Sequence, residues 1–160
     1  MPPELSSSAR KVQEALQALG MEPQIMELPD STRTAVEAAE AVGCQLGQIV
    51  KSLVFKAKRT GRPILVIASG QNRVNERRIE AFIGEPLGKA DADFVRLETG
   101  FVIGGVPPVG LSQKLLTFID QDLLQYQEIW AAAGTPHAVF RLSSADLLKM
   151  AAGQVVAIAP

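Results

Sequence analysis

Val50-Lys51-Ser52-Leu53-Val54-Phe55-Lys56-Ala57 is the stretch from which the fold can be read. As a strand it places Lys51, Leu53, Phe55 and Ala57 on one face and Val50, Ser52, Val54 and Lys56 on the other. A cation among the larger apolar side chains either snorkels to water or lines a cavity. Lys58 to Arg62 is a basic turn containing Gly61. Ile64 to Ala68 then runs apolar with little alternation, as a central strand covered on both sides does.

Outward from that pair, the pattern interleaves helices and strands. Ser8 is a candidate cap for a helix carrying Val12, Ala15, Leu16 and Leu19, with Gly20 past its end. Gln24 to Leu28 reads as a strand closed by Pro29. A second helix carries Ala35, Ala38, Ala39 and Val42 and stops at Gly43; Thr34 and Glu37 have capping-box spacing. Asn75 opens a helix to Gly84 with Ile79, Phe82 and Ile83 buried and Val74 stapled to Ile79. Asp91 caps a short helix through Glu98. Phe101 to Ile103 and Leu115 to Ile119 read as strands, Glu128 to Ala133 as a helical turn, and His137 to Leu142 as a strand. Ser143 or Ser144 caps a last helix, and Gln154 to Ile158 is a final strand. Several links are too short for crossovers, so the expectation is a mixed α/β domain, residues 1–160, with a curved, largely antiparallel sheet surrounded by helices.

The net charge of −1 conceals an uneven distribution. Lys51 to Arg78 holds eight cations and one anion, so this segment is +7 and the remainder −8. Such a segment is either a solvated surface or a phosphate-facing patch. Arg77 and Arg78 stand in the first turn of their helix, the wrong sign for its dipole, which hints at an anionic partner. Cys44 is the only cysteine, which excludes an intrachain disulfide and fits a reducing compartment. No membrane-length apolar run or signal-peptide pattern is present, so the expected location is cytoplasmic, with no membrane and no DNA partner.

One His and one Cys fall short of the usual metal-ligand sets, so neither metal nor cofactor is expected. No Gly-x-Ser-x-Gly elbow, Gly-x-Gly-x-x-Gly or Gly-x-x-x-x-Gly-Lys loop occurs. What remains is Lys51 and the stretch Thr99-Gly-Phe-Val-Ile-Gly-Gly-Val-Pro-Pro-Val-Gly110. Gly104 and Gly105 leave room for a molecule against the main chain, while Pro107 and Pro108 stiffen the turn and remove two donors. The N–H groups of Gly104, Gly105, Val106 and Val109 would suit an oxygen bearing negative charge; the same residues also serve as ordinary turn punctuation.

Val50-Lys51-Ser52-Leu53-Val54-Phe55, with Thr99-Gly100-Phe101 and Gly104-Gly105-Val106-Pro107-Pro108-Val109-Gly110 downstream, resembles the YbaK/ProX family of aminoacyl-tRNA deacylases, relatives of the prolyl-tRNA synthetase editing domain. The resemblance runs from about Glu14 to Ile158 and includes Glu37-Ala38-Ala39, Gly43, Gly70 and Gly134. It implies a metal-independent ester hydrolase that removes a wrong amino acid from tRNA, usually tRNA(Pro), with prolyl-tRNA synthetase as a further partner. Lys51 matches the family's essential lysine, and Gly104 and Pro108 match its Gly-x-x-x-Pro loop. The implied roles are catalysis for Lys51, Gly104 and Gly105, and substrate binding for Thr34, Val106, Pro107, Pro108 and His137. The basic segment supplies tRNA contacts from Lys56, Lys58, Arg59, Arg73, Arg77 and Arg78. Cysteine-selective members read Gly-Gly-Cys-Ser-Pro in the loop, where this chain has Val106 and Pro107. Thr34 replaces a bulkier aromatic, and Gly134-Thr-Pro-His137 replaces Gly-Lys-Arg-Gly. Alanine or another small residue therefore fits as well as cysteine. The competing expectation is a catalytically idle module that binds tRNA ends or docks on a synthetase.

Overall fold

A computed structural model describes residues 5–22, 24–28 and 34–160. Strand β2 (Val50–Ala57) and β3 (Pro63–Ser69) form an antiparallel hairpin in which Lys51 faces Ala68 and Phe55 faces Ile64. The apolar run of β3 feeds a different core from each face. Leu65 and Ile67 join Val12, Ile119, Ile129 and Phe140, whereas Ile64, Val66 and Ala68 join Ile79, Phe118 and Ile158. That double duty removes polar residues from both faces and explains the missing alternation.

Around this hairpin a five-stranded sheet has the order β4-β2-β3-β5-β8. Strand β4 (Leu87–Lys89) pairs antiparallel with β2, while β5 (Leu116–Asp120) and β8 (Gln154–Val156) add parallel pairings. A second, wholly antiparallel sheet consists of β1 (Ile25–Glu27), β7 (Ala138–Ser143) and β6 (Glu128–Ala132). The mixed α/β expectation holds, with four antiparallel and two parallel strand pairings over two sheets among the described residues. The sheets touch through a parallel bridge between Ile49 and Trp130.

Among the described residues, five α-helices surround the sheets: α1 (Ser7–Ala18), α2 (Ala35–Val42), α3 (Glu76–Ile83), α4 (Ala92–Thr99) and α5 (Ser144–Ala151). Thr34 makes the expected capping box with Glu37, and Asp91 and Ser143 cap α4 and α5. Among the described residues, no helix is long and apolar enough to cross a membrane.

Several local expectations are corrected. Ser6, not Ser8, caps α1, its hydroxyl accepting from Ala9 N. Glu128–Ala132 is a strand rather than a helical turn: Ile129 and Ala131 are buried while their neighbours are not, and β7 supplies the ladder. Phe101–Ile103 forms no strand; Phe101 is buried, but Val102 and Ile103 are exposed in the loop. Phe82 is 49% exposed yet stacks on Phe118 with ring centroids 5.5 Å apart. Pro29, the expected stop of β1, lies outside the described residues.

Candidate active site

Next to the Ile49–Trp130 bridge, β2 and β6 both line a cavity of about 580 Å³. Pairing with β4 begins only at Phe55, so among the described residues the outer edge of β2 before that residue has no ladder partner. An unpaired strand edge presents backbone donors and acceptors, here along a cavity wall. Helix α2 closes one side with Thr34, Ala35 and Val36; Ile103, Gly104 and Val106 close another. Gly70 lets α2 approach, because a Cβ there would lie 2.5 Å from Leu46 O and 3.1 Å from Ala35 Cβ.

Lys51 and the glycine loop thus line the same hollow. Lys51 is half-buried, and its Nζ donates to the backbone carbonyl of Asn72 at 2.6 Å. Burial pushes its pKa below the usual lysine value, while the Asp120 carboxylate pulls in the opposite direction. Lys89 is the other charged residue in the described lining, which holds no carboxylate, thiol or imidazole.

Gly104 has φ +86°, a left-handed conformation suited to glycine. Gly105 serves a different purpose. Its N–H donates to Val102 O at 3.0 Å, so it is engaged in a turn rather than free for an oxyanion. Its carbonyl accepts from Gly134 N at 2.9 Å, and a Cβ at Gly105 would stand 2.7 Å from Thr135 Cα. The Gly134 turn is backed in turn by α1, where an added Cβ would meet Ser8 O at 2.6 Å. Helix, turn and loop therefore stack as rigid backbone layers behind the cavity. Among the described residues the N–H groups of Gly104 and Val106 have no hydrogen-bond partner.

The other expected site residues divide. Thr34 lines the cavity while its hydroxyl caps α2, accepting from Glu37 N at 3.1 Å. Pro107 and Pro108 are buried outside the cavity lining, and Pro108 borders a separate hollow of about 320 Å³ behind the loop. His137 is exposed at the turn before β7, away from the lining; its carbonyl accepts from Leu28 N. These three therefore do not line the cavity that holds Lys51. In the basic segment, Arg59 donates to Gly84 O and Arg62 to Ile83 O, satisfying carbonyls at the α3 C-terminus. Glu85 fixes the same turn, accepting from Arg59 N, Thr60 N and Thr60 Oγ1. The Thr60 backbone bond, ahead of the other contacts, holds its carboxyl below the usual range. Lys56 Nζ sits 5.1 Å from the Phe94 ring centroid. Lys58, Arg73, Arg77 and Arg78 are exposed.

Sequence reading missed Trp130, Lys89 and the group behind Lys51. Asn72 Nδ2 donates to Asp120 and Asp122, each at 2.8 Å, and Asp120 is fully buried. A polar residue ending an apolar strand, as Asp120 does, was the available signal.

The cavity thus brings Lys51 and the glycine loop into one lining, and similarity to known proteins places the chain in a family. Residues 29–150 match the aminoacyl-tRNA editing domain, and the chain belongs to that family. A solved structure described as a candidate trans-editing enzyme for prolyl-tRNA synthetase is 48% identical, superimposes with a TM-score of 0.91 and covers 98% of this chain and 99% of that one. YwhH of Bacillus subtilis, an uncharacterized protein, is 28% identical over 134 residues, 84% of this chain and 85% of its own. EbsC of Enterococcus faecalis, named as a candidate Cys-tRNA(Pro)/Cys-tRNA(Cys) deacylase, is 26% identical over 125 residues, 78% and 76% of the two chains. Family and fold agree on an aminoacyl-tRNA editing protein.

Proposed function

We propose that the cavity receives the aminoacyl end of tRNA(Pro) carrying alanine, cysteine or another small amino acid, and that Lys51 and the Gly104–Val106 backbone promote loss of the ester. The observation carrying this reading is the joint presence of Lys51, Gly104 and Val106 in one largely apolar hollow whose described lining holds no carboxylate, thiol or imidazole. Water attacks the ester carbonyl carbon, the bond from that carbon to the ribose oxygen breaks, and the proton released by water ends on that oxygen. The free amino acid and uncharged tRNA leave. The ammonium and the free N–H groups stabilise negative charge as it develops, which is where preorganised donors have most effect. An aminoacyl ester is already activated, so positioning and electrostatics carry the rate without a covalent intermediate.

The exposed Lys58, Arg73, Arg77 and Arg78 provide the tRNA-facing charge, whereas Arg59 acts through the turn it stabilises. Prolyl-tRNA synthetase is the source of the mischarged substrate in this reading. A pocket that separates side chains by one methylene gains only about 1–3 kcal/mol, so more than one small amino acid is removed. The test is deacylation of tRNA(Pro) charged in turn with alanine, cysteine, serine and proline, by the wild type and by Lys51→Ala. Wild-type hydrolysis of the small esters, nearly abolished in a folded Lys51→Ala protein, supports the reading; equal rates overturn the role of Lys51. Salt-sensitive tRNA binding with no ester loss would identify a binding module instead.

A further inference from the structure

We propose that Asn72 is the positioning residue for Lys51, coupling the lysine to two carboxylates that it does not itself touch. This inference rests on the role of Lys51 proposed above. Asn72 presents its two ends to different partners. Its backbone carbonyl accepts from Lys51 Nζ at 2.6 Å, while its side-chain amide donates to Asp120 Oδ2 and Asp122 Oδ2, each at 2.8 Å. Both amide hydrogens are thereby used, and both partners are acceptors, so the amide has one favourable orientation.

The support is itself fixed. Asp120 Oδ2 also accepts from Ser69 N at 2.9 Å, and Asp120 Oδ1 accepts from Asp122 N at 2.9 Å. Asn72 N donates to Ser69 O at 2.9 Å, closing the turn after β3. Asn72 is thus clamped to the ends of β3 and β5 before the lysine reaches it. Neither carboxylate forms an ion pair with Lys51 among the described residues. Their negative charge acts from behind the carbonyl, favouring ammonium without occupying the side offered to substrate. Lys89 from β4 is the other charged group on the cavity wall; the described lining from α2 and β6 contributes none.

The test compares wild type, Asn72→Ala and Asp120→Asn by NMR of selectively labelled lysine and by single-turnover deacylation. The Lys51 signal is assigned by its disappearance in Lys51→Ala. In the wild type the two ε-protons of Lys51 are inequivalent because the ammonium is held; in Asn72→Ala they become degenerate. Asn72→Ala also lowers the maximal rate roughly 10–100-fold while KM changes less than about threefold, the signature of lost positioning. Asp120→Asn removes one charge and moves the Lys51 titration midpoint down. Should Asp120→Asn fail to fold, Asp122→Asn carries the charge arm, with a smaller downward shift expected.

The proposal is overturned if Asn72→Ala keeps the inequivalent ε-protons, if its rate stays within about twofold of wild type, or if rate is lost only in proportion to folded fraction. A midpoint unmoved in every folded carboxylate variant also overturns it. The NMR arm needs no substrate. Absence of wild-type deacylation with the NMR changes intact would reject the hydrolytic reading and retain the Asn72 coupling.

Discussion

Replacing Gly105 by Ala tests whether the glycine loop is held in place by the turn behind it. The added Cβ would lie 2.7 Å from Thr135 Cα, 2.8 Å from Thr135 N and 2.9 Å from Gly134 C. All three are backbone atoms, so no side chain can rotate away. Reaching an ordinary contact of 3.4 Å requires about 0.7 Å of separation between loop and turn. That movement strains the Gly134 N–Gly105 O bond and displaces Gly104 and Val106 from the cavity wall. Overpacking of this kind costs roughly 1–3 kcal/mol, and a displacement approaching 1 Å at a reacting centre costs on the order of 10²-fold in rate. Gly20→Ala is the control: φ is +78°, but nothing lies within 4 Å of the new Cβ. It should lose about 1–2 kcal/mol through backbone strain without losing activity per folded molecule. Denaturant unfolding and single-turnover deacylation measure both effects. Gly105→Ala with wild-type stability and a rate within twofold would refute the stacked-backbone argument.

The basic residues should separate by function. Arg77→Ala with Arg78→Ala should weaken tRNA binding and reduce its salt slope by roughly one to two, as fluorescence titration over a salt series would show. Arg59→Ala should instead lower stability by about 1 kcal/mol, measured by denaturation, with a smaller change in that slope, because its guanidinium satisfies Gly84 O. Glu85, with its folded pKa lowered, contributes stability that is full above the ordinary value of 4.5 and is lost as pH falls through the folded value. Glu85→Gln should therefore lower the thermal midpoint at neutral pH and flatten its acid limb. The Lys51 pKa is lowered below 10.5, so enzyme-catalysed deacylation, corrected for spontaneous hydrolysis, should decline on the alkaline side before an ordinary lysine titrates.

The hairpin was legible because its signals are local. Alternation in Val50–Ala57, a glycine-bearing turn and the unbroken Ile64–Ala68 run determine two adjacent strands. Cap residues at Thr34, Asp91 and Ser143 likewise fixed helix starts within a few positions. Phe101–Ile103 misled because an apolar triplet can be held by tertiary packing with no ladder available to it. Glu128–Ala132 was misread for the opposite reason: only β7 supplies the ladder that makes its alternation meaningful. At the site, Lys51 and Gly104 were found through their pattern. Asn72 and Asp120 escaped because their relation depends on two strand ends separated by 48 residues meeting in space. Charge in a sequence does not reveal that the Arg59 guanidinium is also bonded to a helix end, a structural job the basic run gave no sign of.

The direct partner of Lys51 constrains what the lysine can do. A carboxylate at the Asn72 carbonyl's place would favour the ammonium more strongly, but it would also neutralise it at short range and compete with an anionic substrate group. A neutral carbonyl fixes direction while leaving the net charge of the ammonium available. Burial then weakens the preference for the charged form, and Asp120 offsets part of that loss from a more remote position. The carboxylate is itself isolated by bonds from Ser69 N, Asn72 Nδ2 and Asp122 N, so it is poorly placed to act as a base toward substrate. In the proposed reaction, this separation leaves charge stabilisation to Lys51 and the loop N–H groups and proton movement to water and substrate. An acid limb of the deacylation profile that follows an enzyme carboxylate, and vanishes in a folded Asp120→Asn protein, would contradict that division.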